Sequence, residues 1–213
     1  MSFYEQLLDA TQDDRNQLLG SPVIQQALAG QVSLPRYLAF LGQAYHHVSH
    51  TVPLLMTCGS HLSDDQKWLQ PALIEYINEE VGHEQWILND ITASGGDPVD
   101  TLQAGPSFET ELMVAYAYDS IHRNNPLSFL GMVHVLEGTS TALATQAADK
   151  IQTSLRLPNN AFSYLNSHGA LDIEHVQFFQ QLVDRITNRE DQQVIIHAAR
   201  AHYRLYANII NSL

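Results

Sequence analysis

The sequence predicts an all-α fold: a single-domain bundle of about seven helices spanning residues 1–213. Three observations carry that prediction. Apolar residues recur every three or four positions through most of the chain, the spacing of a helix with one face on a core. No segment shows sustained strict alternation with hairpin turns, so no sheet is expected. The chain is 213 residues long and 45% hydrophobic, enough to bury one sizeable core and too apolar for disorder. It contains no internal repeat and no low-complexity linker.

The elements follow in order. Phe3, Leu7, Leu8, Leu18 and Leu19 give a first amphipathic helix from Phe3 to Leu19. Gly20-Ser21-Pro22 is a break, and Pro22 suits the first turn of a short helix ending near Gly30. Ser33 is an N-cap with Pro35 just inside it, and the helix it starts runs through Tyr37, Leu41, Tyr45, Val48, Val52 and Leu55, kinked by Pro53. Ser63 with Asp64-Asp65 opens a third long helix that carries Trp68, Leu73, Ile77, Trp86 and Ile91 and ends at Gly95-Gly96. A loop with Pro98 and Pro106 follows. Ser107 caps a fourth helix to about His122, and Pro126 opens a fifth that continues to about Leu155. After a turn at Leu157–Asn160 comes a sixth, loosened at Gly169, and the last helix runs from Glu190 to Leu213.

Charge and cysteine content exclude several functions. A formal net charge of −13 argues against a nucleic-acid or anionic-membrane surface, both of which need clustered Lys and Arg. The single cysteine, Cys58, forms no intramolecular disulfide and excludes a thiolate-rich zinc site. The N-terminal MSFYEQLLDATQDD lacks the basic region of a secretory signal, and no apolar run is long enough to span a membrane. The expected location is the cytoplasm.

The sixth helix holds the chemistry. Leu165, His168, Asp172, His175, Phe179, Leu182 and Ile186 form one stripe, and three of these seven can bind a metal. A buried aspartate is costly unless compensated, and a metal ion is the simplest compensation. In the third helix, Glu80 and His83 form a Glu-x-x-His pair, which on one helix lets both side chains reach one ion. In the fifth, Glu137 sits on a core face with Leu130, Val133, His134, Thr141 and Ala144. Each signal alone has an ordinary structural explanation, such as a solvated patch or a hydrogen-bonded core group. Together, Glu80, His83, Glu137, His168, Asp172 and His175 give three carboxylates and three imidazoles, a donor set suited to two iron or manganese ions.

The set has one Glu-x-x-His, where ferritin-like bundles use two. Its second half is His-x-x-x-Asp-x-x-His. The pattern therefore resembles the haem-oxygenase-like di-iron oxidases and oxygenases, a superfamily that includes haem oxygenase, thiaminase II and pyrroloquinoline-quinone synthase. The resemblance covers nearly the whole chain in helix order. It implies that Glu80, His83, Glu137, His168, Asp172 and His175 bind two irons, or manganese, and that O2 is activated to oxidise a small organic substrate. The implied partners are that substrate and O2, with assembly as a homodimer left open. Two departures stand out. The thiaminase II resemblance calls for a Cys near Glu137, where this chain has Met132-Val133-His134-Val135-Leu136. Haem oxygenase takes its proximal His from the first helix, and Phe3–Leu19 contains none. The alternatives are a metal-free enzyme of the thiaminase II or pyrroloquinoline-quinone synthase kind, and a non-catalytic helical interaction protein. His46, His47 and His50 are expected to line the substrate pocket, support the ligands or lie on the surface.

Overall fold

A computed structural model describes residues 1–167 and 175–213 with their side chains. The described residues contain no strand, and they divide into eleven α-helices rather than seven. These are α1 Phe3–Leu19, α2 Pro22–Leu28, α3 Leu34–Val48, α4 Thr51–His61, α5 Gln70–Glu80, α6 His83–Ala93, α7 Pro98–Ala104, α8 Phe108–Arg123, α9 Ser128–Leu155, α10 Ser163–Val183 and α11 Arg189–Ser212. Short 3-10 turns occupy Asp64–Leu69 and Asn159–Ala161.

The larger count has local causes. The second predicted helix breaks at Ser49-His50 into α3 and α4 because Pro53 cannot donate to Ser49 and its ring clashes with that carbonyl. The third becomes a 3-10 turn, α5 and α6. Gly82 stands between the last two at φ 92°, a left-handed conformation that ends one helix and starts the next. The expected loop after Gly96 holds α7, which begins at Pro98 and is capped by the Asp97 side chain on the Val99 amide. Ser33 and Ser107 cap as expected, accepting from the amides of Arg36 and Thr110, and Ser2 and Ser21 do the same for Glu5 and Ile24.

The longest helix, α9, is central. It packs along α10 and α11 and also meets α2 and α8, while α1 lies on α11. At Gly131, α9 and α11 approach so closely that a Cβ would fall 2.6 Å from the Ala199 nitrogen. One apolar cluster joins Leu7, Leu18, Leu55, Met113, Leu182 and Tyr203. A second joins Tyr37, Leu41, Ile87, Ile91, Ala148 and Phe162 around α3, α6 and the far half of α9. A fully buried side chain of this size contributes about 1.5–3 kcal/mol. No helix of the described residues is long and apolar enough to cross a membrane.

One contact fixes where α10 begins. Its N-cap, Phe162, makes no side-chain cap. The buried Asp90 of α6 does that work from 73 residues away. Its Oδ1 accepts from the Ser163 amide at 3.0 Å and from the Ser163 hydroxyl, and its Oδ2 accepts from the Tyr164 amide at 2.9 Å.

Candidate metal centre

A cavity of about 190 Å³ runs beside α9, whose lining residues extend from Phe129 to Ile151. The 22 residue-to-residue steps between them correspond to roughly 33 Å of helix. The walls are mostly aliphatic and aromatic: Val23, Leu28, Val32, Phe40 and Leu55 face Met132, Val133, Leu143 and Ala147. Glu80 of α5, Glu137 of α9 and His175 of α10 all line this one cavity. Three helices distant in sequence thus bring two carboxylates and an imidazole to the same apolar space.

The Glu80–His83 pair does not lie on one helix, as the spacing suggested. Glu80 ends α5 and His83 begins α6, with Val81 and Gly82 between them. The two side chains still meet: His83 Nδ1 is 3.1 Å from Glu80 Oε2. The His83 ring also stacks on Trp86, centroids 4.0 Å apart. His175 Nε2 lies 3.3 Å from Oε2 of Glu79, the neighbour of Glu80, whose side chain is 38% exposed. His83 and His175 are themselves buried. Among the described residues, no three His, Cys, Asp or Glu side chains lie close enough to hold an ion. His168 and Asp172 lie outside the described residues, as does the expected loosening at Gly169. The residues that do meet fit a metal chemically, because carboxylates and imidazoles are donors for iron or manganese.

Tyr76 of α5 also lines the cavity, and the spacing argument did not single it out. Its hydroxyl is buried and has no hydrogen-bond partner among the described residues. Burial pushes its pKa up, and the negative charges of Glu137, Glu79, Glu80 and Glu75 push it further. The phenol therefore stays an O–H donor beside the carboxylates. The signal that could have found it is the stripe Leu73, Tyr76, Ile77, Glu80, where a phenol stands one turn before the candidate carboxylate ligand.

The three clustered histidines separate. His47 is buried and lines the cavity. His46 donates from Nε2 to the Thr101 carbonyl at 3.2 Å, and His50 bonds the Tyr118 hydroxyl at 3.1 Å. His134 is buried and touches Thr11 rather than Glu80 or His83.

A family model described as iron-containing redox enzymes, of haem-oxygenase type, matches residues 38–207. The chain belongs to that family. The chain shares its fold with a domain of unknown function from Shewanella denitrificans described as haem-oxygenase-like, at 22% identity and TM-score 0.89 over 100% of this chain and 91% of that one. A TenA homologue from Pseudomonas syringae matches at 12% identity and TM-score 0.80, over 98% and 91%. Haem oxygenase from Leptospira interrogans matches at 17% identity and TM-score 0.74, over the whole of both chains. No curated protein matches the sequence. Within the family, the departure noted at α1 stands: it contains no histidine.

Proposed function

We propose that this redox enzyme is a non-haem di-iron oxidase or oxygenase that uses O2 to oxidise a small organic substrate. Glu80, His83, Glu137, His168, Asp172 and His175 would hold the two ions, and manganese would fit the same donors. The observation that supports this reading most is the convergence of Glu80, Glu137 and His175 from α5, α9 and α10 on one apolar cavity. When bound, iron supplies the electrons that dioxygen chemistry requires. The chain supplies the rest. The aliphatic walls exclude water and receive the apolar part of a substrate. The His83–Glu80 contact orients both side chains. Tyr76 offers a neutral O–H to an oxygen atom held beside the carboxylates.

A second reading draws support from the same contacts. His83–Glu80 and His175–Glu79 are imidazole–carboxylate pairs at 3.1 and 3.3 Å, the arrangement of a metal-free general acid–base enzyme of the thiaminase II or pyrroloquinoline-quinone synthase kind.

Anaerobic titration with ferrous iron separates the two. The expected result is two equivalents bound. The bound iron should also stabilise the fold by mass action, about 2.7 kcal/mol at a hundredfold excess over Kd. Oxygen uptake should follow on mixing with air. Asp172→Ala and Glu137→Ala should lower the stoichiometry with helical content by circular dichroism intact. A parent protein that takes up no iron or manganese, yet turns over a thiamin-like or quinone-precursor substrate, would establish the metal-free reading instead.

A further inference from the structure

Glu137 borders a second cavity, of about 170 Å³, enclosed by α1, α9, α10 and α11. Its polar wall is built differently from the first. Arg15 of α1 faces it together with Tyr4, Tyr203 and His134, and Leu8, Val176 and Phe179 supply apolar surface. Arg15 is half-buried, and no carboxylate of the described residues lies within ion-pair distance of it. The adjacent Asp14 is engaged by Arg200 and Arg204 of α11 at 3.8 and 3.6 Å. A guanidinium beside a cavity, with no counter-ion among the described residues of a chain of net charge −13, is a fixed positive charge that a ligand can meet.

The other groups are set as donors. Tyr4 and Tyr203 make no hydroxyl hydrogen bond to a described residue, and burial raises both phenols, Tyr203 to about 12. The Thr11 hydroxyl donates to the Leu7 carbonyl at 2.7 Å, so its oxygen accepts from His134 Nε2 at 3.2 Å. Burial, reinforced by Arg15, pushes His134 down to about 4, which keeps it neutral. The cavity therefore offers one guanidinium fork and two phenolic O–H groups, with Arg15 as its positive charge and the Glu137 carboxylate as the opposing negative one. Glu137 on the same wall repels a dianion more than a monoanion.

We propose that Arg15, Tyr4 and Tyr203 form a subsite for an organic carboxylate, which orients a carboxylate-bearing substrate against Glu137. As a substrate subsite it rests on the oxidase reading. Binding itself does not, and it is tested on metal-free protein.

Gly138 makes the test clean. It lines this cavity from α9, and a Cβ built on it meets nothing within 4 Å. Gly138→Leu therefore starts its side chain in open space and projects it into the cavity. Calorimetric titration of the metal-free full chain would use hexanoate, hexan-1-ol, hexylammonium and inorganic phosphate as probes. Hexanoate should bind, with the alcohol, the ammonium and phosphate weaker. Arg15→Gln should weaken hexanoate by about tenfold or more, the size of a lost charge-assisted hydrogen bond. Tyr203→Phe should cost several-fold, and Gly138→Leu should abolish binding with the melting temperature unchanged or raised. Equal hexanoate binding by the parent, Arg15→Gln and Gly138→Leu proteins would overturn the proposal. So would hexylammonium or phosphate binding as well as hexanoate. Iron stoichiometry is read in parallel. Arg15→Gln should keep the parent's value, and a parent that binds hexanoate but no iron loses the oxidase reading while the carboxylate site stands.

Discussion

His202 shows how a single buried group ties stability to pH. It is 1% exposed on α11, its Nδ1–H donates to the Ala198 carbonyl at 2.8 Å, and its Nε2 has no partner among the described residues. Burial pushes its pKa down from the ordinary 6.5 to about 4. Below pH 6.5 the unfolded chain takes up a proton that the folded chain refuses until about pH 4. The stabilisation is therefore complete above 6.5 and is lost as pH falls toward about 4. His134 adds to it with the same sign. Each contributes on the order of 3 kcal/mol across that window. Urea midpoints measured at pH 7.5 and 4.5 should differ strongly in the parent and clearly less in His202→Phe, which also removes an unsatisfied nitrogen. Equal losses in the two proteins would count against His202. The titrating character of this residue was not legible in the sequence, where His197 and His202 look alike. What separates them is the packing of Tyr116 and α8 over His202. The residues of the first cavity were more legible. Glu80, Glu137 and His175 all lay on apolar stripes, and helical periodicity is enough to find such positions.

At the level of elements, two glycines do opposite jobs. Gly82 has φ 92° and open space around its Cβ direction, so Gly82→Ala meets only the backbone cost, about 1–2 kcal/mol for an L-residue in the left-handed region. Gly131 is helical and unstrained, but its Cβ would meet the Ala199 nitrogen at 2.6 Å and both Ala198 Cβ and the Ile195 carbonyl at 2.8 Å. Gly131→Ala must push α9 and α11 apart. Chemical denaturation should rank Gly131→Ala as the more damaging, by about 1–3 kcal/mol, the usual penalty of overpacking. A Gly131→Ala protein as stable as the parent would show that the two helices part freely. The first of these sites exposes a limit of sequence reasoning. The two side chains of the Glu-x-x-His pair meet, but not on one helix, because a four-residue motif reads the same across a left-handed glycine as along a continuous helix. Pro53 was legible as a kink rather than a break, and its effect lands four residues upstream, at the Ser49 carbonyl to which it has no N–H to donate.

Across the whole molecule, the bundle and its helix order were legible because amphipathic periodicity and serine caps are local signals. The cavities were not. Whether Arg15 finds a carboxylate depends on α11 reaching across to take Asp14, and no window of sequence contains both. The same holds for the apolar space beside α9, which exists because side chains from α2, α3, α4 and α5 stop short of it. What the sequence shows is which faces are apolar. What it leaves out is how much room lies between them.

The Asp90 cap bears on the order in which the chain assembles. The first turn of α10 lacks a local side-chain cap, so it matures only after α6 has docked at its start. Assembly of α10 is thus conditional on a contact with high loop-closure cost. The amides of Ser163 and Tyr164, although close to a helix end, should exchange with deuterium as slowly as the core of α9. Asp90→Ala should release them by orders of magnitude and lower global stability by about 1–3 kcal/mol, while amides in α1 respond only to the global loss. Unchanged protection of Ser163 and Tyr164 in that variant would show that α10 starts itself.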